Sequence, residues 1–323
     1  MWMVNKRYLY DDMFVDKAQR DTPQQMTETD KIICRDKELD YRVLNLASNT
    51  FNENETSYYH KSIGGYHPAK LRRYQEMIDA HIAPEMQKTM QAVAAAGGDM
   101  TKVNGDSIYP VLNMLNTKYF IFPAGEQGQA VPVMNPYAYG NAWFVDKVQY
   151  VNNANEEIDA LNDILPTETA VVDVKFKEQL KGVTEGYKDS LSTIQLTSYE
   201  PNRLVYKAST PKDGVVVFSE IYYPGWQATI DGQPVDIARA DYILRAINVP
   251  AGEHTIEMWF DPQSIQVTES IAYAALALLL IGVMVLAWTQ RNKIAKKAQS
   301  LFSQSPHRRR ADDPSGAPVP CPA

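Results

Sequence analysis

The sequence predicts an α+β protein: a mixed α/β domain, an antiparallel β-sandwich and then one transmembrane helix. Three observations carry this. Strand-like and helix-like runs alternate up to about residue 188, which argues for an α/β arrangement. Seven short β-like runs separated by turn signals follow, from Thr193 to Phe260. Eighteen consecutive residues, Ile271–Trp288 (IAYAALALLLIGVMVLAW), then carry no charge.

Residues 1–40 are polar and read as an entry segment with one short helix. The extracytoplasmic α/β domain is assigned to residues 41–188. Tyr41–Leu46 (YRVLNL) alternates apolar and polar side chains, as a half-buried strand does. The loop Ala47–His67 is rich in Asn, Ser, Tyr and Gly. Pro68 then opens a helical pattern that puts Leu71, Tyr74, Met77, Ile78 and His81 or Ile82 on one face. Pro84 can open a second helix, which Gly97–Gly98 would close. Ser107–Asn116 reads as a short helix leading into the strand Lys118–Phe122. A strand at Ala142–Val151, a helix from Asn153 or Asn155 to Ile164 and a strand at Thr169–Val174 complete the domain.

The β-sandwich domain is assigned to residues 189–262. Its strands are expected at Thr193–Tyr199, Arg203–Ser209, Gly214–Tyr222, Trp226–Ile230, Val235–Ile237, Tyr242–Val249 and His254–Phe260. Asp231-Gly232 between apolar runs marks a tight hairpin, because both central residues of a type I′ turn need positive φ. In the last strand Ile256, Met258 and Phe260 should face inward while Thr255 and Glu257 face out.

A helix over Ile271–Trp288 would span roughly 27 Å, close to the hydrocarbon thickness of a bilayer. Nine of its residues are Leu, Ile or Val, and together they favour insertion by about 3 to 5 kcal/mol. The transmembrane helix is assigned to residues 270–290, and residues 291–323 to a basic, disordered cytoplasmic tail. That tail carries seven basic and two acidic side chains, whereas residues 1–290 hold 25 basic and 37 acidic ones. Basic flanks resist translocation, so the tail is expected inside and the acidic body outside. Tyr273 and Trp288 suit the aromatic belts at the two interfaces. The N-terminal residues lack the apolar stretch of a signal peptide. Either the chain is the C-terminal piece of a polytopic protein, or it is tail-anchored with its body in the cytoplasm.

The acidic balance argues against nucleic acid as a partner, since phosphate binding needs clustered Lys and Arg. Two cysteines, Cys34 and Cys321, lie on opposite sides of the expected span, so no disulfide framework or zinc cluster is expected. Neither a Walker-type glycine loop nor a nucleophile elbow is present. No spacing singles out an acid/base carboxylate pair. No catalytic residue, metal or cofactor is therefore assigned.

Four stretches resemble the YfhO-type bacterial membrane proteins: SYYHKSIGGYHPAKLRRYQ at Ser57–Gln75, LNTKYFI at Leu115–Ile121, NPYAYGNAWFV at Asn135–Val145, and the run SYEPNRLVY … YYPGWQATIDG … VPAGEH. The resemblance extends to about residue 300. It implies a multipass protein similar to GT-C glycosyltransferases, which take a sugar from a polyprenyl-phosphate carrier on the outer membrane face. It implies that the chain corresponds to the C-terminal extracytoplasmic region and last transmembrane helix, with the catalytic membrane bundle absent. The implied partners are the lipid bilayer, that missing N-terminal bundle, and a polyprenyl-phosphate sugar or surface glycan, and the implied location is the bacterial cell (inner) membrane.

The candidate ligand residues are Tyr59, His60, Lys61, Tyr66, His67, Arg72 and Trp226. His60, Lys61 and His67 could hold a phosphate or donate to sugar hydroxyls, while the tyrosines offer stacking faces. Arg72 stands near a helix N-terminus, where the dipole attracts anions. The same loop could instead be rigid packing against a membrane bundle. Trp226 could stack on a sugar ring or fill the sandwich core. Two functions follow as alternatives: assistance to lipid-linked sugar transfer, or carbohydrate binding by a single-pass surface protein without chemistry.

Overall fold

In the computed structural model, which describes residues 13–125, 129–180 and 191–303, two parallel strand pairs anchor the first half of the chain. β1 (Arg42–Asn45) pairs parallel with β2 (Thr117–Ala124), which pairs antiparallel with β3 (Gln129–Met134). A three-residue strand, β4 (Ala142–Phe144), precedes β5 (Lys147–Val151). The helix Ala154–Asp159 crosses from β5 to β6 (Thr169–Asp173), and β5 and β6 pair in parallel. Parallel neighbours need such a crossover. The helix starts where Asn153 accepts hydrogen bonds from the Asn155 and Glu156 N–H groups, satisfying donors that lack an intrahelical partner.

Eight strands follow: β7 (Thr193–Glu200), β8 (Arg203–Thr210), β9 (Gly214–Ile221), β10 (Trp226–Ile230), β11 (Gln233–Val235), β12 (Ala238–Ala240), β13 (Leu244–Val249) and β14 (Gly252–Phe260). They form antiparallel sheets ordered β11-β10-β14-β8-β7 and β12-β13-β9-β4. Leu204, Tyr206, Ile256 and Met258 from the first meet Val216, Phe218, Ile247 and Val249 from the second in one buried cluster. Each such side chain contributes about 1.5–3 kcal/mol by leaving water.

β9 is buried on both sides, which explains its unbroken apolar run Gly214–Phe218. Val216 and Phe218 enter the sandwich core, while Val215 and Val217 enter the larger core that also holds Leu44, Phe120 and Val171. Its edge partner β4 comes from before residue 188, pairing Ala142 with Phe218 and Phe144 with Val216. The described residues up to Asp261 accordingly make one compact unit.

The expected architecture is present, with local differences. Ala142–Val151 divides into β4 and β5, and β3 had no counterpart in the sequence reading. Val235–Ile237 is likewise not one strand: β11 ends at Val235 and β12 begins at Ala238, on different sheets. The helix expected from Pro68 begins at Arg72, leaving Leu71 before it and exposed. It continues through a π-helical turn, Ile78–Ile82, into the helix Ala83–Ala95 without a break. Pro84 cannot donate the next backbone hydrogen bond, and a widened turn absorbs that loss. Asp231 and Gly232 both take positive φ, 50° and 79°, as the hairpin between β10 and β11 requires.

The second unit begins at Pro262. Its helix Gln263–Ser303 runs 41 residues, and the apolar window is wholly unburied. It is the one helix among the described residues long and apolar enough to cross a membrane. Of the basic tail, residues 304–323, with Cys321, lie outside the described residues.

Candidate functional site

The Gly-rich loop is fixed by backbone contacts before any side chain acts. Residues 61–63 run alongside β1: the Val43 N–H donates to the Lys61 carbonyl at 2.9 Å, and the Ile63 N–H to the Val43 carbonyl at 3.0 Å. Gly64 then passes so close to Thr50 that a Cβ would stand 1.9 Å from its carbonyl oxygen. Gly65 takes φ +106°, a conformation open to glycine at little cost. The loop therefore has one path, and its extended backbone sends His60 and Lys61 to opposite sides.

His60 is buried with Nε2 2.8 Å from Asp30 Oδ1. Asp30 in turn closes the capping box at Thr27. Lys61 turns the other way. Its Nζ donates to Asp40 Oδ1 at 2.9 Å, to Asp40 Oδ2 at 3.0 Å and to Glu220 Oε1 at 2.9 Å, and lies 4.8 Å from the Tyr199 ring centroid. Arg42 stands 3.7 Å from Glu220 and donates to the carbonyls of Leu115 and Ser219. Burial pushes the Glu220 carboxyl up, but Arg42, Lys61 and Arg245 outweigh it and hold the group below its ordinary range.

This ion cluster sits at one end of the sandwich interior. Phe218 and Glu220 share one face of β9, and Arg245 is opposite Phe218 on β13. From the other sheet come Tyr199 and Trp226. Arg245 lies on the Trp226 ring, its guanidinium carbon 3.8 Å from the centroid. Outside this end opens a cleft of about 380 Å³ lined by Leu39, Asp40, Tyr41, Tyr59, Lys61 and Tyr199 among others. Burial lifts the Tyr41 phenol to about 12, so it stays a neutral donor.

Of the residues singled out by sequence, Tyr59, His60 and Lys61 line this cleft together. Tyr59 gives its hydroxyl to the Gln24 carbonyl at 2.6 Å. Trp226 joins the cluster through Arg245 but does not line the cleft. Tyr66, 57% exposed, His67 and Arg72 stand outside it: His67 Nδ1 accepts from the Ala69 N–H, and Arg72 pairs with Glu76. Sequence reasoning missed Asp40, Arg42, Tyr199, Glu220 and Arg245. A signal for three of them was present, since Arg42, Glu220 and Arg245 interrupt apolar strand runs.

The cleft offers aromatic faces, an ammonium and carboxylate oxygens, the set that recognises sugar hydroxyls and ring faces. Lys61 Nζ bridges Asp40 and Glu220 and holds the two carboxylates side by side.

Residues 173–272 match the family model described as bacterial membrane protein YfhO. The matched region holds β7 to β14 and the start of the apolar helix, while the Tyr58–His67 loop precedes it. No curated protein and no solved structure shows significant similarity to the chain.

Proposed function

We propose that this chain, a YfhO-family membrane protein through residues 173–272, assists transfer of sugar from a polyprenyl-phosphate carrier to a cell-surface polymer. Its part is to hold the acceptor glycan or the carrier's sugar, not to perform the chemistry. The observation that carries this reading is the cleft, where Tyr199 and Lys61 stand beside Tyr41 and Tyr59. In this reading the acidic body faces outward and the basic tail inward, and the helix Gln263–Ser303 packs beside a bundle of further spans.

The test is Tyr199→Ala in the intact protein. An aromatic stacking face contributes about 1 kcal/mol, so surface glycosylation should fall about fivefold while protein abundance holds. Unchanged glycosylation would remove the cleft from the process. An impermeant label that reached the tail, and not the body, of intact cells would overturn the orientation.

A second reading is carbohydrate binding without transfer. It is favoured by the engagement of both Asp40 and Glu220 with Lys61. Purified full-length protein that binds glycan, yet leaves transfer unaltered when deleted from cells, would select it.

A further inference from the structure

We infer that this cleft is the first of three that together seat a linear, uncharged oligosaccharide of at least three units, along β7 and onto the outer face of its sheet. The inference rests on the reading of the cleft as a glycan site and extends it to a ligand of defined length and charge.

The three clefts succeed one another through shared residues. The first, about 380 Å³, has Glu38, Leu39 and Tyr199 in its walls. The second, about 460 Å³, takes Glu38 and Leu39 again and adds Tyr139, Asn141 and Gln195. The third, about 620 Å³, shares Gln195 with the second and continues over Lys207, Ser209 and Thr255 to Asp231. Each volume lies within the range of single small-molecule sites, about 300 to 1,000 Å³. Tyr199 and Gln195 stand four positions apart on β7, about 13 Å, and the crossing from β7 over β8 to β14 adds two strand spacings, about 10 Å. A ligand that touches all three clefts is therefore a chain rather than one ring.

The lining decides what kind of chain. Lys61 stands with Asp40 in the first cleft, Lys37 with Glu38 in the second and Lys207 with Glu253 in the third. Walls of mixed sign hold no attraction for a polyanion or a polycation, whereas neutral hydroxyls find both donors and acceptors in them. Asn141 Nδ2 donates to the Asp40 carbonyl at 2.8 Å, which fixes the amide and leaves its oxygen to accept a hydroxyl. The side chains of Gln195, Lys207 and Ser209 make no hydrogen bond among the described residues. Lys207 and Thr255 are cross-strand partners that alternate with Tyr206 and Ile256 of the core, so they stand on the outer face of the sheet. A peptide that paired with the edge strand β7 would not reach them.

The experiment is binding of the full chain, in a sugar-free non-ionic detergent, to an array of neutral oligosaccharides. The array holds hexose and N-acetylhexosamine chains of one to six units, with uronic-acid oligomers and unstructured peptides on the same surface. Affinity should rise about tenfold from one unit to four, the yield of one or two further hydrogen bonds, and then level off. Gln195→Ala and Lys207→Ala change exposed side chains and should keep the parental Tm. Each should cut the advantage of four-unit over two-unit chains about fivefold, the loss of one hydrogen bond. Equal binding at every length, or a length dependence that neither substitution moves, overturns the track and leaves the first cleft standing. A preference for uronic-acid oligomers or for peptides overturns it as well. No binding at any length overturns the track and the glycan reading of the cleft together.

Discussion

Lys61 Nζ lies 2.9 Å from Glu220 Oε1, a contact that joins residues 159 apart in sequence. It ties the Gly-rich loop to the sandwich through a carboxylate that is only 13% exposed. Removing one partner of a buried pair strands the other charge. Lys61→Met should therefore cost about 1 to 3 kcal/mol, below the fully buried range because the lysine side chain is 30% exposed. Denaturant unfolding of the single variants and of Lys61→Met with Glu220→Gln checks it. The double variant should lose less than the sum, by about 1 kcal/mol.

Gly64 tests whether the loop's path places Lys61. A methyl group there would stand 1.9 Å from the Thr50 carbonyl oxygen and 2.6 Å from its Cγ2, so backbone must shift. Gly64→Ala should destabilise by about 1 to 3 kcal/mol. It should also weaken any cleft ligand, which titration calorimetry would show. A variant with parental stability and affinity would separate the glycine from the site.

The sandwich was legible because each of its signals is local. Alternation along β14, the Asp231-Gly232 turn and the short strand lengths each report on a few neighbouring residues. β9 was also readable as a strand, but its burial on both faces was not, since that depends on β4 and the larger core arriving from elsewhere in the chain. The site was half legible. Tyr59, His60 and Lys61 are adjacent in sequence and share the cleft, whereas Asp40 and Tyr199 reach it from distant segments, and Glu220 and Arg245 belong to the ion cluster behind it. Charged residues inside apolar strands were the available clue: such a residue must find a buried partner. His67 attracted notice by its place in the Gly-rich loop and Arg72 by its place near a helix N-terminus, and both are occupied with near neighbours in the chain.

The apolar helix gives a prediction about solubility. Its window is wholly unburied, so that surface needs lipid or detergent to cover it. The full chain should stay with membranes through alkaline carbonate extraction, whereas a chain ending at Asp261 should be water-soluble. Because residues up to Asp261 hold their own cores, the shortened chain should unfold cooperatively by circular dichroism. Release of the full chain by carbonate would contradict a membrane span.

Asp241 makes stability depend on pH. Its N–H donates to the Val171 carbonyl and its Oδ1 accepts from the Val171 N–H, both at 2.8 Å, while Oδ2 is buried without a partner. Burial pushes this carboxyl up to about 8, opposed by the Val171 hydrogen bond and reinforced by the Glu157 charge. In the unfolded chain an aspartate releases its proton near pH 4. Between about pH 4 and 8 the folded state thus keeps a proton that the unfolded state has lost, and stability falls as pH rises through that window. The contribution is on the order of 1 kcal/mol per pH unit. Asp241→Asn retains Oδ1 for the Val171 N–H, tolerates the φ of 47°, and carries no charge at any pH. The stability gap between variant and parent should therefore widen in the variant's favour from pH 5 to pH 8 in urea unfolding. A gap that stays constant across this range would mean that Asp241 is already ionised in the fold, with a counter-charge supplied by its neighbours.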